Sequence, residues 1–106
     1  MPYTTANYAD VEPVAEGMYF MRDVLEADRL GFTVLECEPG WEGMSHDHAG
    51  EAHEEIYYLV DGAATIVVDG EDVPLEPGDA IRVDHETERQ IRVDDVPSRL
   101  VLVGST

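Results

Sequence analysis

Short apolar runs rich in Val, Ile, Tyr and Leu recur along the chain, and each is closed by Asp, Gly or Pro. No long stretch places apolar residues at helical spacing between capping signals, so the pattern predicts strands. Eight runs qualify: MYFMRDVL (18–25), GFTVLECE (31–38), EEIYYLVDG (54–62), ATIVVDG (64–70), EDVPLE (71–76), DAIRVD (79–84), ERQIRV (88–93) and SRLVLVG (98–104). LEADRLG, across the first gap, suits a single helical turn. Asp69-Gly70 between two of these runs predicts a two-residue type I′ hairpin, which needs positive φ at both central positions. Pro39-Gly40 and Pro77-Gly78 suit type II turns, and Asp79 reads as a turn residue. Eight short strands so punctuated predict an all-β sandwich or barrel, with the first dozen residues loose or laid along a neighbouring sheet.

Residues two apart on a strand share a face. His46 and His48 therefore point together if their segment is extended, while Asp47 faces away. On the next strand His53, Glu55, Tyr57 and Leu59 share one face, and Glu54, Ile56 and Tyr58 the other. Side by side, the two segments bring imidazoles and one carboxylate to a common point. That mixed nitrogen and oxygen set suits a divalent transition metal: Fe, Mn, Ni, Co, Zn or Cu. The alternative is an acidic solvated surface whose histidines ligate nothing.

Composition sharpens the picture. The 106 residues allow one domain, 1–106, with one core. Against 24 Asp and Glu stand 6 basic residues, all Arg, for a net charge of −18. Such repulsion is tolerable chiefly in concentrated salt, so the chain reads as haloadapted, and 43% hydrophobic residues favour a folded core over disorder. Nucleic acid and anionic membranes are excluded as partners, because binding them requires Lys and Arg to neutralise phosphates. No positively charged leader and no apolar run of about eighteen residues is present, which predicts a cytoplasmic protein. Cys37 stands alone as a buried hydrophobe, and no base pattern accompanies Ser98 or Ser105 to support nucleophilic hydrolysis. Between Arg29 and Arg82 lie thirteen Asp and Glu and no basic residue, a segment hospitable to a cation.

The stretch PGWEGMSHDHAGEAHEEIYYLVDG resembles the first cupin motif, G-x5-H-x-H-x3 or x4-E-x6-G. Five residues separate Gly40 from His46, six separate Glu55 from Gly62, and six rather than three or four separate His48 from Glu55. GEDVPLEPGDAIRVDHETERQI resembles the second motif, G-x5-P-x-G-x2-H-x3-N, with departures: from Gly78, Asp84 falls where proline is usual, Glu86 where glycine is usual, and Arg89 where the metal-binding histidine is usual. His85 misses the ligand position. The resemblance implies a jelly-roll β-barrel, often dimeric, with His46, His48 and Glu55 as metal ligands at its mouth.

Arg89 cannot ligate, since a guanidinium keeps its proton and offers no lone pair. Three arrangements stay open. The metal keeps His46, His48 and Glu55 while Arg89 clamps an anionic substrate; or His53 supplies the missing nitrogen and Arg89 turns outward; or Arg89 pairs with Glu55 and the pocket holds no metal. Tyr57 and Met44 either line the pocket or belong to the core. The expected function is a small metal-binding cupin that takes a small polar or anionic molecule, with oxygenase- or isomerase-type chemistry. The alternatives are a metal-free small-molecule-binding or sensor cupin and a structural protein, and the resemblance implies a homodimer.

Overall fold

The computed structural model describes residues 2–43 and 54–105. A 3-10 turn at Tyr8–Asp10 is followed by eight strands: β1 (Met18–Phe20), β2 (Leu30–Cys37), β3 (Glu55–Asp61), β4 (Ala64–Val68), β5 (Glu71–Leu75), β6 (Ala80–Val83), β7 (Arg89–Val93) and β8 (Ser98–Ser105). Each of the eight apolar runs yields one of them. They form a five-stranded sheet, β1-β2-β8-β3-β6, and a three-stranded sheet, β5-β4-β7. Every strand pair is antiparallel, as in a jelly roll.

Alternation along the strands builds the core between the two sheets. Leu35, Leu100 and Leu59 lie in one cross-strand row of the larger sheet, each fully buried. From the smaller sheet Ile66, Ile91 and Val93 meet them in one apolar cluster. Burying a side chain of this size is worth about 1.5–3 kcal/mol, so these rows fix strand register: a slip by one residue would turn each row to water.

The turns follow their residues. Asp69 and Gly70 have φ of 49° and 79°, both positive as a type I′ hairpin requires, and Val68 pairs with Glu71 across them. Gly40 and Gly78 have positive φ after their prolines, and the amides of Trp41 and Asp79 close the two turns on the carbonyls of Glu38 and Glu76. The Asp79 carboxylate accepts from the Glu76 amide at 2.8 Å, which makes it the turn residue expected. Gly62, the last glycine of the first motif, is required twice over. Its φ is 92°, and a Cβ there would stand 2.5 Å from the Pro97 carbonyl oxygen and closer still to Ser98 Oγ.

The chain departs from the sequence pattern between β1 and β2. The first strand ends at Phe20, and the helical turn expected over 25–31 does not form there. The chain turns earlier, with Leu25 N–H bonded to Met21 O and Ala27 N–H to Arg22 O. Arg22 fastens that turn by donating to the carbonyls of Ala27 and Asp28, a use of a polar side chain that apolar periodicity does not register. At the N-terminus, Asn7 caps the 3-10 turn by accepting from Ala9 N–H at 2.9 Å. Tyr8 then packs edge-on against Tyr19, centroids 5.2 Å apart, with the Arg99 guanidinium over its ring. The segment thus lies along the outside of the larger sheet, one of the two placements expected. Among the described residues no helix is long and apolar enough to cross a membrane.

Candidate functional site

At its first residues β3 has the parity read from the sequence. Glu55, Tyr57 and Leu59 face inward, while Glu54, Ile56 and Tyr58 face out. Of the adjacent carboxylates, Glu54 therefore meets Arg82 on the surface at 3.4 Å and Glu55 enters the interior. Its side chain remains 19% exposed at the end of the strand, where it pairs with Val83 of β6 and Gly104 of β8.

Arg89 opens β7, in the opposite sheet, and points inward in the same alternation as Ile91 and Val93. Its side chain is 0% exposed. The guanidinium reaches across the interior and donates from Nη1 to Glu55 Oε1 at 2.9 Å. A second donor, Nη2, is bonded to the Asp84 carbonyl in the loop between β6 and β7. The Tyr57 hydroxyl, also buried, donates to the same Glu55 Oε1 at 2.8 Å. Burial first, and then the neighbouring carboxylate, push that hydroxyl's pKa far up, so it stays a donor. One carboxylate oxygen thus accepts from a cation and a phenol at once. Charge-assisted bonds of this kind are about twice as strong as neutral ones. Arg89 Nε is buried with no hydrogen-bond partner among the described residues.

The loop from Asp84 to Glu88 is built for this use. Thr87 donates from its hydroxyl to Asp84 Oδ1 at 2.8 Å and from its amide to Asp84 O, the carbonyl that Arg89 also meets. Asp84, where the second motif usually has proline, thereby closes the loop and supplies an acceptor for Arg89. His85 lies near Glu86 at 3.6 Å on the partly exposed side of the loop.

Of the residues proposed for the site, Glu55, Tyr57 and Arg89 come together in one hydrogen-bonded group. His46, His48, His53 and Met44 lie outside the described residues. The pairing of Arg89 with Glu55 is the contact of the third arrangement, and the outward turn of Arg89 in the second does not occur. Tyr57 is core and network at once. Among the described residues no three His, Cys, Asp or Glu side chains are placed to hold a metal ion. A fourth metal ligand from position 89 is ruled out, and the three-ligand arrangement turns on His46 and His48, which lie outside the described residues. Position 89 carries a sealed guanidinium, and Glu55 Oε1 accepts from it and from the Tyr57 hydroxyl.

A feature the sequence reading missed lies at the far end of β3, where Asp61 pairs with Arg99. A cleft of about 420 Å³ opens there between Tyr19, Glu36, Asp61, Ser98 and Arg99. Arg99 stands 3.8 Å from Glu36 and 3.6 Å from Asp61, in ion pairs too long for hydrogen bonds. The only signal for it was the outward parity of Arg99 on an otherwise apolar run.

A family model described as a cupin domain matches residues 33–104. Quercetin 2,3-dioxygenase of Bacillus subtilis is 34% identical over 55 residues, a stretch covering 52% of this chain but 16% of that protein. A cupin protein from Bacteroides fragilis superposes with a TM-score of 0.86 at 23% identity, covering 100% of this chain and 86% of its own. A sugar phosphate isomerase from a cupin superfamily, from Silicibacter pomeroyi, gives 0.78 at 18% identity, covering 96% and 75%. At these identities the two structures speak for the fold alone.

Proposed function

The chain belongs to the cupin family, and on that premise we propose that it binds a small polar molecule at the end of the barrel where Glu55 is presented. The observation that carries this reading is the network of Arg89, Tyr57 and Glu55. Two side chains with no exposed surface hold one partly exposed carboxylate at a fixed orientation. Arg89 Nη1 and the Tyr57 hydroxyl donate to Glu55 and Arg89 Nη2 to Asp84 O, so of the three groups the carboxylate is the one that reaches the surface. Hydroxyl-rich or amine-bearing molecules match it better than anions do. Arg89 and Tyr57 act in binding by positioning Glu55.

The test is a thermal-shift and calorimetric comparison of sorbitol and gluconate at matched ionic strength. The neutral polyol is expected to bind, and Glu55→Gln is expected to weaken it at least tenfold. Binding of gluconate in preference to sorbitol, undiminished in Glu55→Gln, refutes the assignment. The quercetin dioxygenase match favours a second reading, metal-dependent oxygenation, which requires one equivalent of tightly held metal per chain.

The homodimer suggested by the resemblance also belongs to this proposal. Copies carrying −18 each repel wherever carboxylates meet. The outer face of the larger sheet has two rows free of carboxylates, Ile56–Val103–Phe32 and Tyr58–Val101–Val34. Ile56 and Tyr58 of these rows and Val60 beside them are exposed, while Val34 is buried. A second copy is the occupant that this face fits.

A further inference from the structure

The structure holds a full positive charge where the family pattern has a metal ligand, and that charge belongs to the chain. We propose that Arg89 is the site's resident cation: its guanidinium takes the place of a divalent metal as the partner of Glu55, so the site is complete without metal. This rests on the reading of Glu55 as the ligand-facing group. It deepens that reading by assigning the counter-charge on which Glu55 depends.

Three observations carry the inference. Arg89 is wholly buried, so its charge is not dispersed into water, and the carboxylate at 2.9 Å is its anionic partner among the described residues. A metal at the same carboxylate would stand beside a fixed guanidinium, and two cations so placed repel in a medium where screening is weak. The guanidinium is also anchored from behind by the Asp84 carbonyl, and the loop carrying that carbonyl is closed on itself by Thr87. Moving Arg89 aside for a metal requires opening the loop as well as breaking the ion pair. Arg89 is thus a positioning residue with a charge role, and a merely structural role would not control metal affinity.

The probe is Co²⁺ alone, added to untagged full-length protein stripped with chelator, with bound metal counted after dialysis and affinity read by calorimetry. The unsubstituted protein is expected to retain much less than one equivalent. Arg89→His removes the guanidinium and places an imidazole opposite the same carboxylate, and is expected to retain close to one equivalent with at least a hundredfold gain in affinity. Arg89→Gln removes the charge without adding a ligand. It is expected to gain about tenfold, and it serves if the histidine variant does not fold. One tightly held Co²⁺ per unsubstituted chain overturns the proposal, as does equal affinity across the folded variants. Sorbitol binding is measured on the same stripped protein. Its loss with the metal results intact refutes the ligand assignment and leaves the resident cation standing. Sorbitol binding that appears only with Co²⁺ refutes the resident cation.

Discussion

The ion pair between Glu55 and Arg89 is asymmetric, and the asymmetry predicts which half is the more costly to remove. Glu55 keeps 19% of its side chain in water and Arg89 keeps none. In Arg89→Met the carboxylate loses the guanidinium but retains solvent and the Tyr57 hydroxyl. In Glu55→Gln the guanidinium stays charged, sealed between the sheets, with a neutral amide oxygen in place of the carboxylate and the Asp84 carbonyl behind it. Breaking a buried pair by removing one partner costs about 3–5 kcal/mol, and the sealed cation belongs at that upper range. Loss of a charge-assisted bond to a group that can rehydrate is nearer 1.5–3 kcal/mol. Glu55→Gln is therefore expected to destabilise by about 1–2 kcal/mol more than Arg89→Met, roughly a five- to thirtyfold difference in the unfolding constant. The double variant Glu55→Gln/Arg89→Met is expected to recover part of the loss, because the stranded charge is gone. Urea unfolding at fixed salt and pH 7, fitted with a common slope, reads all three values. The reverse order, or single variants each within 0.5 kcal/mol of the unsubstituted protein, refutes the account of a buried, mutually dependent pair.

Further outcomes follow from the same structure. A net charge of −18 predicts that the urea midpoint rises steadily from 0.1 to 2 M KCl as repulsion is screened, and a flat response contradicts the reading of haloadaptation. Gly62→Ala forces a Cβ against the Pro97 carbonyl at positive φ and is expected to cost more than about 2 kcal/mol by urea unfolding. Burial pushes the Cys37 thiol up from about 9 to about 12. A raised folded-state pKa contributes stability that is complete below the unfolded value and is lost as pH climbs through the folded one. Unfolding free energy should then fall between pH 9 and 12, less steeply in Cys37→Ala. Light scattering at molar salt is expected to give twice the chain mass, and Tyr58→Glu on the outer face is expected to return it to one.

The strands were legible because each apolar run ends at a residue with its own reason to turn. Asp69-Gly70 takes the hairpin for the same steric reason that selects those residues. The division of Glu54 from Glu55 was legible from parity alone, since a strand has only two faces. Less could be read where a polar side chain acts across sequence distance. The turn held by Arg22 on two carbonyls has no periodicity, and the N-terminal 3-10 turn is fixed by Tyr8 meeting Tyr19 and Arg99. Arg89 was the instructive case. Motif spacing marked it as a departure and excluded coordination, but three directions for its side chain remained open. The choice depended on Asp84 O, a backbone acceptor created by the loop's own closure, and backbone acceptors carry no letter in a sequence.

The pair and the surface obey different electrostatics, which bears on how such a chain keeps a working site. Carboxylates on the outside interact through solvent, where a Debye length of about 8 Å at physiological salt shrinks to 3 Å at 1 M. Glu55 and Arg89 interact across 2.9 Å with one partner sealed, so mobile ions cannot enter between them. Among the described residues the pair sets one carboxylate against one guanidinium within a strongly anionic body. Salt that strengthens the fold should therefore leave the coupling between Glu55 and Arg89 nearly unchanged. A divalent cation held at the same place would instead compete with bulk cations drawn to the acidic surface. Replacing a diffusible cation with a tethered one removes that competition, and the geometry of the β6–β7 loop keeps the tether short.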